Sequence, residues 1–88
     1  MVKRNRLEII RDILKIVRGS NEGIKPTPLL RRSNISSSRF KEYFEEILEK
    51  GFIREEGSKG KKILMTEKGN RFLEKYSLIV GFVDEFGL

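Results

Sequence analysis

Only Ser33, Asn34 and Ile35 separate two stretches of this chain that carry helical signals, and so short a connection allows nothing but a tight turn. Of the three, Asn34 is best able to adopt a positive φ, and Ile35 supplies an apolar plug. Upstream, proline keeps Ile24-Lys25-Pro26 extended, and Thr27-Pro28 reads as an N-cap followed by proline at the first helical position. A short helix of about Pro28 to Arg32 is predicted. Downstream, Ser36 caps a longer helix in which Phe40, Tyr43, Phe44, Ile47 and Leu48 repeat at i, i+3, i+4, i+7 and i+8, and Gly51 ends it with a left-handed residue.

The rest of the chain is organised around this pair. Between Arg6 and Val17, the residues Leu7, Ile10, Ile13, Leu14 and Val17 form one helical face, widened by Ile9 and Ile16, before the turn formers Gly19 to Gly23. Phe52 to Glu56 and Lys61 to Met65 read as two strands joined by Gly57-Ser58-Lys59-Gly60. Thr66 caps a final helix, expected to be short and to contain Gly81, with Glu67 in its positively polarised first turn.

Eighty-eight residues make one small domain, near the size at which a single core needs outside support. With no cysteine and no histidine, disulfides and the usual zinc, haem and thiolate sites drop out, which leaves a second copy of the chain as the expected source of extra buried surface. Alanine, glutamine and tryptophan are also absent while 36% of residues are charged, a bias that fits the ion-pair networks of thermophilic proteins. The N-terminal stretch is charged throughout, unlike a signal peptide, and the longest apolar run, from Leu78 to Val83 across Gly81, cannot span a bilayer. A cytoplasmic, nucleoid-associated protein is expected.

The net charge of +6 is unevenly distributed. Residues 1–41 carry eleven Lys/Arg against three Asp/Glu (+8), residues 42–56 two against six (−4), and residues 57–75 six against two (+4). Two basic blocks thus flank an acidic one, and a polyanion needs such a cationic face rather than a cationic average.

Two helices joined by a tight turn and followed by a hairpin form the order of a winged helix-turn-helix: an α+β chain, mostly α, with three helices, a two-stranded wing and a C-terminal helix. The stretches Leu48-Glu49-Lys50-Gly51-Phe52-Ile53 and Leu64-Met65-Thr66-Glu67-Lys68-Gly69 resemble the L-x-K-G-hydrophobic-I and T-E-K-G signatures of winged-helix proteins. From Arg6 to about Phe86 the pattern resembles the small archaeal winged-helix DNA-binding proteins that dimerise through a C-terminal helix, including ten-kilodalton chromatin-associated dimers. Gly51 serves helix termination and Gly69 allows close backbone packing, so the signatures specify fold before role. Pro26, Pro28 and the serine triplet depart from the family pattern. The resemblance implies a homodimeric transcriptional regulator or chromosomal protein with modest sequence specificity.

In helix-turn-helix recognition the first residues of the second helix approach the bases and its far half turns away. Ser37 and Ser38 at the tip, Arg39 and Lys41 on the flanks and Glu42 opposite the apolar stripe are therefore the expected base readers. Glu45, Glu46 and Glu49 would be repelled by phosphate and should point elsewhere, so the helix should enter the groove end-on. Lys25, Arg31 and Arg32, together with Lys59, Lys61 and Lys62 of the wing, are the expected phosphate contacts.

Phe72, Tyr76, Ile79, Val83 and Phe86 follow the 4, 3, 4, 3 spacing of a coiled-coil seam, broadened by Leu73 and Val80. Residues 1–66 are expected to form the winged-helix domain and residues 67–88 the helix that completes the core and dimerises, through Tyr76, Ile79, Val80, Phe82, Val83 and Phe86. No serine sits in a recognisable nucleophile motif, so no enzyme, metal, cofactor or small-molecule ligand is expected. The expected partners are double-stranded DNA and a second copy. The competing reading is a protein-interaction module within a larger assembly, because winged helices also serve as docking domains.

Overall fold

The computed structural model describes residues 4–58 and 60–88. The element order is α1 (Arg6–Arg18), α2 (Pro26–Ser33), α3 (Ser37–Glu49), β1 (Ile53–Glu56), β2 (Lys62–Met65) and α4 (Glu67–Glu85). The order and the two-stranded antiparallel sheet agree with the winged helix-turn-helix reading, as does the helix that closes the chain.

Local chemistry explains most boundaries. Asn5 caps α1 by accepting the Glu8 amide at 2.8 Å while the Glu8 carboxylate reaches back to the Asn5 amide, a reciprocal box that satisfies two otherwise orphaned donors. Ser36 caps α3 by accepting from the Arg39 amide, and Gly51 beyond its end has φ +80°, both as expected. Asn34 takes the left-handed conformation, φ 56° and ψ 43°, that the short turn demanded. Asn34→Gly should therefore leave stability nearly unchanged, whereas Asn34→Val should lose roughly 1–2 kcal/mol in urea denaturation, the cost of a side chain clashing in that region.

Four expectations need correction. The second helix begins at Pro26 with Lys25 as its N-cap, not at Pro28 with Thr27. Both prolines fall among the first residues of the helix, whose N–H groups have no helical acceptor, and the first amide to donate is that of Leu29, to the Lys25 carbonyl at 3.2 Å. Leu7, placed in the apolar face of α1, is 48% exposed at the end of the helix, while Ile9 from the edge of that face is buried. Ile24 does more than extend the chain: its amide and carbonyl pair with Ile63 at 3.0 and 2.7 Å, adding a bridge on the free edge of β2. The final helix is not short. It runs nineteen residues, straight through Gly81. A helical glycine costs only about 1 kcal/mol relative to alanine, and a helix of this length absorbs that.

The core lies where α1 meets α2, α3, the hairpin and the start of α4. Ile13, Leu14, Leu29, Ile47 and Ile63 are fully buried there. Phe40 and Ile47 bring α3 to it, and Leu73 brings α4. The Thr66-to-Gly69 segment fixes where α4 starts. Thr66 donates its hydroxyl to the Gly51 carbonyl, accepts the Gly69 amide at 3.1 Å, and gives its own amide to the Phe52 carbonyl. Gly69 is buried so closely against Phe52 that a Cβ there would lie 2.2 Å from the Phe52 carbonyl oxygen.

Candidate nucleic-acid interface

The capping of α3 leaves its first turn facing solvent. Ser36, Ser37, Ser38 and Arg39 are all exposed, while Phe40 one residue later is buried and anchors the helix. The Ser36 hydroxyl is occupied by the Arg39 amide and lies 3.4 Å from the Ser38 hydroxyl, so Ser37 is the serine that makes no such contact. Lys41 is exposed on the flank, and Arg31 and Arg32 are exposed on the last turn of α2.

The acidic residues of α3 lie farther along the helix, about one to three turns beyond this tip. Glu46 forms an ion pair with Arg6 of α1, tying the C-terminal half of the helix to the body of the domain. Glu42, Glu45, Glu46 and Glu49 line one shallow depression with Lys50. Glu42, expected among the base-reading residues, therefore shares its surface with the acidic face of α3.

The hairpin brings a further cation toward the wing. A Cβ on Gly60 would lie 3.7 Å from Lys25 Nζ, so the N-cap residue of α2 reaches the wing turn. Lys61 and Lys62 are exposed as expected, but the opposing strand carries acid. Lys62 is directly opposite Glu56 in the strand register, and Lys61 Nζ lies 3.9 Å from Glu55. Glu56 in turn pairs with Arg54 at 2.6 Å. Reading the lysines along one strand missed this, because the offsetting carboxylates sit across the ladder rather than beside them in sequence. Exposed pairs of this kind contribute about 0–1 kcal/mol, too little to prevent a phosphate from recruiting the lysine. Lys59 lies outside the described residues. Among the described residues, no ion pair engages Lys25, Arg31, Arg32, Arg39, Lys41 or Lys62.

The second candidate surface is on α4. Ile79, Phe82 and Phe86 are 62%, 56% and 62% exposed, Val80 is exposed, and Val83 is half-buried. Leu78, which the seam spacing does not include, is exposed as well. At 100° per residue, Leu78, Phe82, Phe86, Ile79 and Val83 occupy one continuous sector of the helix. Tyr76 differs from these: it is half-buried, stacked on Phe72 and covered by the Arg11 guanidinium 5.2 Å from its ring, so α1 already occupies part of its surface.

No described helix is long and apolar enough to cross a membrane, and the described residues contain no cluster of metal-ligating side chains. No curated protein matches the sequence. Among solved structures, the chain is similar to Sso10a-2, a DNA-binding protein from Sulfolobus solfataricus. That match has 20% identity over 94% of this chain and 85% of that one, with a TM-score of 0.73. It is also similar to F-93 of SSV1, with 22% identity over 97% of each chain and a TM-score of 0.65. At these identities the likeness shows the fold. The family model for the winged helix-turn-helix matches residues 3–80, which takes in the turn at Asn34, the capped α3, the hairpin and most of α4: the chain belongs to the winged helix-turn-helix family.

Proposed function

We propose that this protein binds double-stranded DNA as a homodimer, with the N-terminal end of α3 in the major groove and the wing on the flanking phosphates. The observation that carries this reading is the exposed α3 tip, where Arg39 and Lys41 have no carboxylate partner among the described residues, as is also true of Arg31 and Arg32 on the exposed last turn of α2. The similarity to Sso10a-2, described as DNA-binding, supports it. Ser37, Arg39 and Lys41 are the proposed base readers. Lys25, Arg31, Arg32, Lys61 and Lys62 are the proposed phosphate contacts.

Serine hydroxyls pair with several base edges and carry little sequence information, so specificity is modest and rests on Arg39 or Lys41 meeting guanine. A chromosomal protein or a regulator with a degenerate site fits such a surface. The proposed division of labour assigns DNA to residues 1–66 and self-association to residues 67–88, where the exposed apolar sector of α4 needs a cover of its own kind.

Charge polarity along α3 supplies the test. Lys41→Glu should reduce affinity for duplex DNA by at least about tenfold, since it replaces an attraction with a repulsion. Glu49→Gln should change affinity less than about twofold, the residue being at the far end of the helix. Equal sensitivity at both positions in a fluorescence-anisotropy titration would contradict end-on entry.

A further inference from the structure

Arg4, which the sequence presents as one more cation of a basic N-terminus, is engaged inside the protein. Its guanidinium donates to the carbonyls of Ser33 and Asn34 at 3.2 and 3.1 Å, across 29 and 30 residues of sequence. These are the last carbonyl of α2 and the carbonyl of the left-handed turn residue. Both belong to the backbone that aims α3.

The other edge of the Arg4 guanidinium donates to Asp12 Oδ2 at 2.9 Å. The second oxygen of Asp12 accepts from Arg11 Nε at 3.0 Å and lies 2.9 Å from Arg11 Nη2. Arg11 in turn lies over the ring of Tyr76 on α4. One carboxylate on α1 thus holds two arginines, one on the helix-turn-helix corner and one on the C-terminal helix. The side chains of Arg4, Asp12 and Arg11 are only 30%, 27% and 26% exposed, which shields the network from the screening that weakens a fully exposed pair.

We infer that Asp12, acting through Arg4, is a positioning residue for DNA recognition: it fixes the turn at Ser33 and Asn34 and with it the angle at which α3 leaves the domain. Two features favour this over a general surface pairing. A cation at the C-terminal end of α2 meets carbonyls that have no helical donor and the negative end of the helix dipole. The planar guanidinium also bonds to both turn carbonyls while keeping its edge on Asp12, which a lysine ammonium lacks the geometry to do. Arg4 and Arg11 are accordingly structural cations and do not belong to the phosphate-binding set.

The inference rests on the DNA-binding reading, and the sign of one mutational effect tests it. Asp12→Asn removes a negative charge, so long-range electrostatics alone predicts tighter binding to DNA. Positioning predicts the reverse: about tenfold weaker binding, the scale of one charge-assisted hydrogen bond removed from the bound geometry. Hydrogen exchange should show faster exchange of the Arg39 and Phe40 amides, which donate to the Ser36 hydroxyl and carbonyl where the turn enters α3, with unchanged protection in the hairpin. Equal or tighter binding by Asp12→Asn, or Arg39 and Phe40 amides as protected as in the wild type, overturns the inference.

Arg4→Gln provides a second variant should Asp12→Asn fold poorly. It should bind more weakly with an unchanged dependence on salt, because Arg4 neutralises no phosphate. A salt slope lower by about 0.9 would make Arg4 a phosphate ligand instead and overturn the positioning role. If the wild-type protein binds no duplex, the DNA reading fails, and exchange at the turn still decides whether Asp12 holds it.

Discussion

Replacing Ile79 and Phe82 with aspartate is expected to leave a folded monomer that binds duplex DNA roughly 10²–10⁴-fold more weakly, the avidity gained when two sites are linked at suitable spacing. Both side chains are more than half exposed in the single chain, so the change removes little from the core. In a paired helix, however, each aspartate would place a charge with no partner in an apolar seam, at a cost of several kcal/mol. Neither position belongs to the proposed DNA-binding surface. Loss of DNA binding together with loss of the dimer would therefore assign the effect to assembly. Sedimentation velocity at micromolar concentration supplies the readout. A dimeric double variant, or a monomeric wild type that still binds DNA tightly, would show that the α4 seam does not assemble the DNA-binding species.

Gly69→Ala is expected to be the most destabilising single-methyl substitution in the chain. The added Cβ would sit 2.2 Å from the carbonyl oxygen of Phe52 and 2.9 Å from Met65 Cε. The methionine can move. The carbonyl cannot, because the Phe52 backbone is tied to Ile47 and Thr66 by hydrogen bonds of 2.9 and 3.2 Å. Overpacking of this kind costs about 1–3 kcal/mol or more, and at about 4–8 °C per kcal/mol for a domain of this size the melting temperature should fall by roughly 10–20 °C. Gly81→Ala is the control. Nothing lies within 4 Å of its would-be Cβ, and at 100° per residue it falls outside the exposed apolar sector, near Glu74, Asp84 and Glu85. There the better helix former should raise stability by up to about 1 kcal/mol. Thermal melts followed by circular dichroism distinguish the two glycines, and similar shifts of either sign would contradict the packing argument.

These glycines mark how far local sequence carries. Ser36, Asn34 and Gly51 act on backbone groups within a few residues, as Thr66 does in capping α4, and each behaves as its chemistry dictates. The misplaced start of α2 has a local cause too: proline is compatible with more than one early helical position, and Pro26, expected in the extended lead-in, takes the first of them ahead of Pro28. What sequence periodicity did not reveal was partnership across distance. Ile24 pairing with Ile63, Glu56 facing Lys62, Arg6 reaching Glu46 and Arg4 reaching the α2–α3 turn all depend on tertiary placement. The same limit applies to the candidate site. The exposed, cationic tip of α3 was legible from helical phase and charge. The mixed character of the wing was not, because the carboxylates that offset its lysines lie on the neighbouring strand.

The proposed role of the α3 tip and the wing is to form a cationic surface that neutralises DNA phosphates. Titration of a fluorescent random-sequence duplex with the wild-type protein at two salt concentrations tests it most directly, with a Lys25, Lys61 and Lys62 triple alanine variant alongside. The logarithm of the wild-type affinity should fall steeply with the logarithm of salt, and the variant slope should be smaller by about 0.9 for each phosphate that is no longer neutralised. Affinity independent of salt, or a triple variant with the wild-type slope, would contradict it.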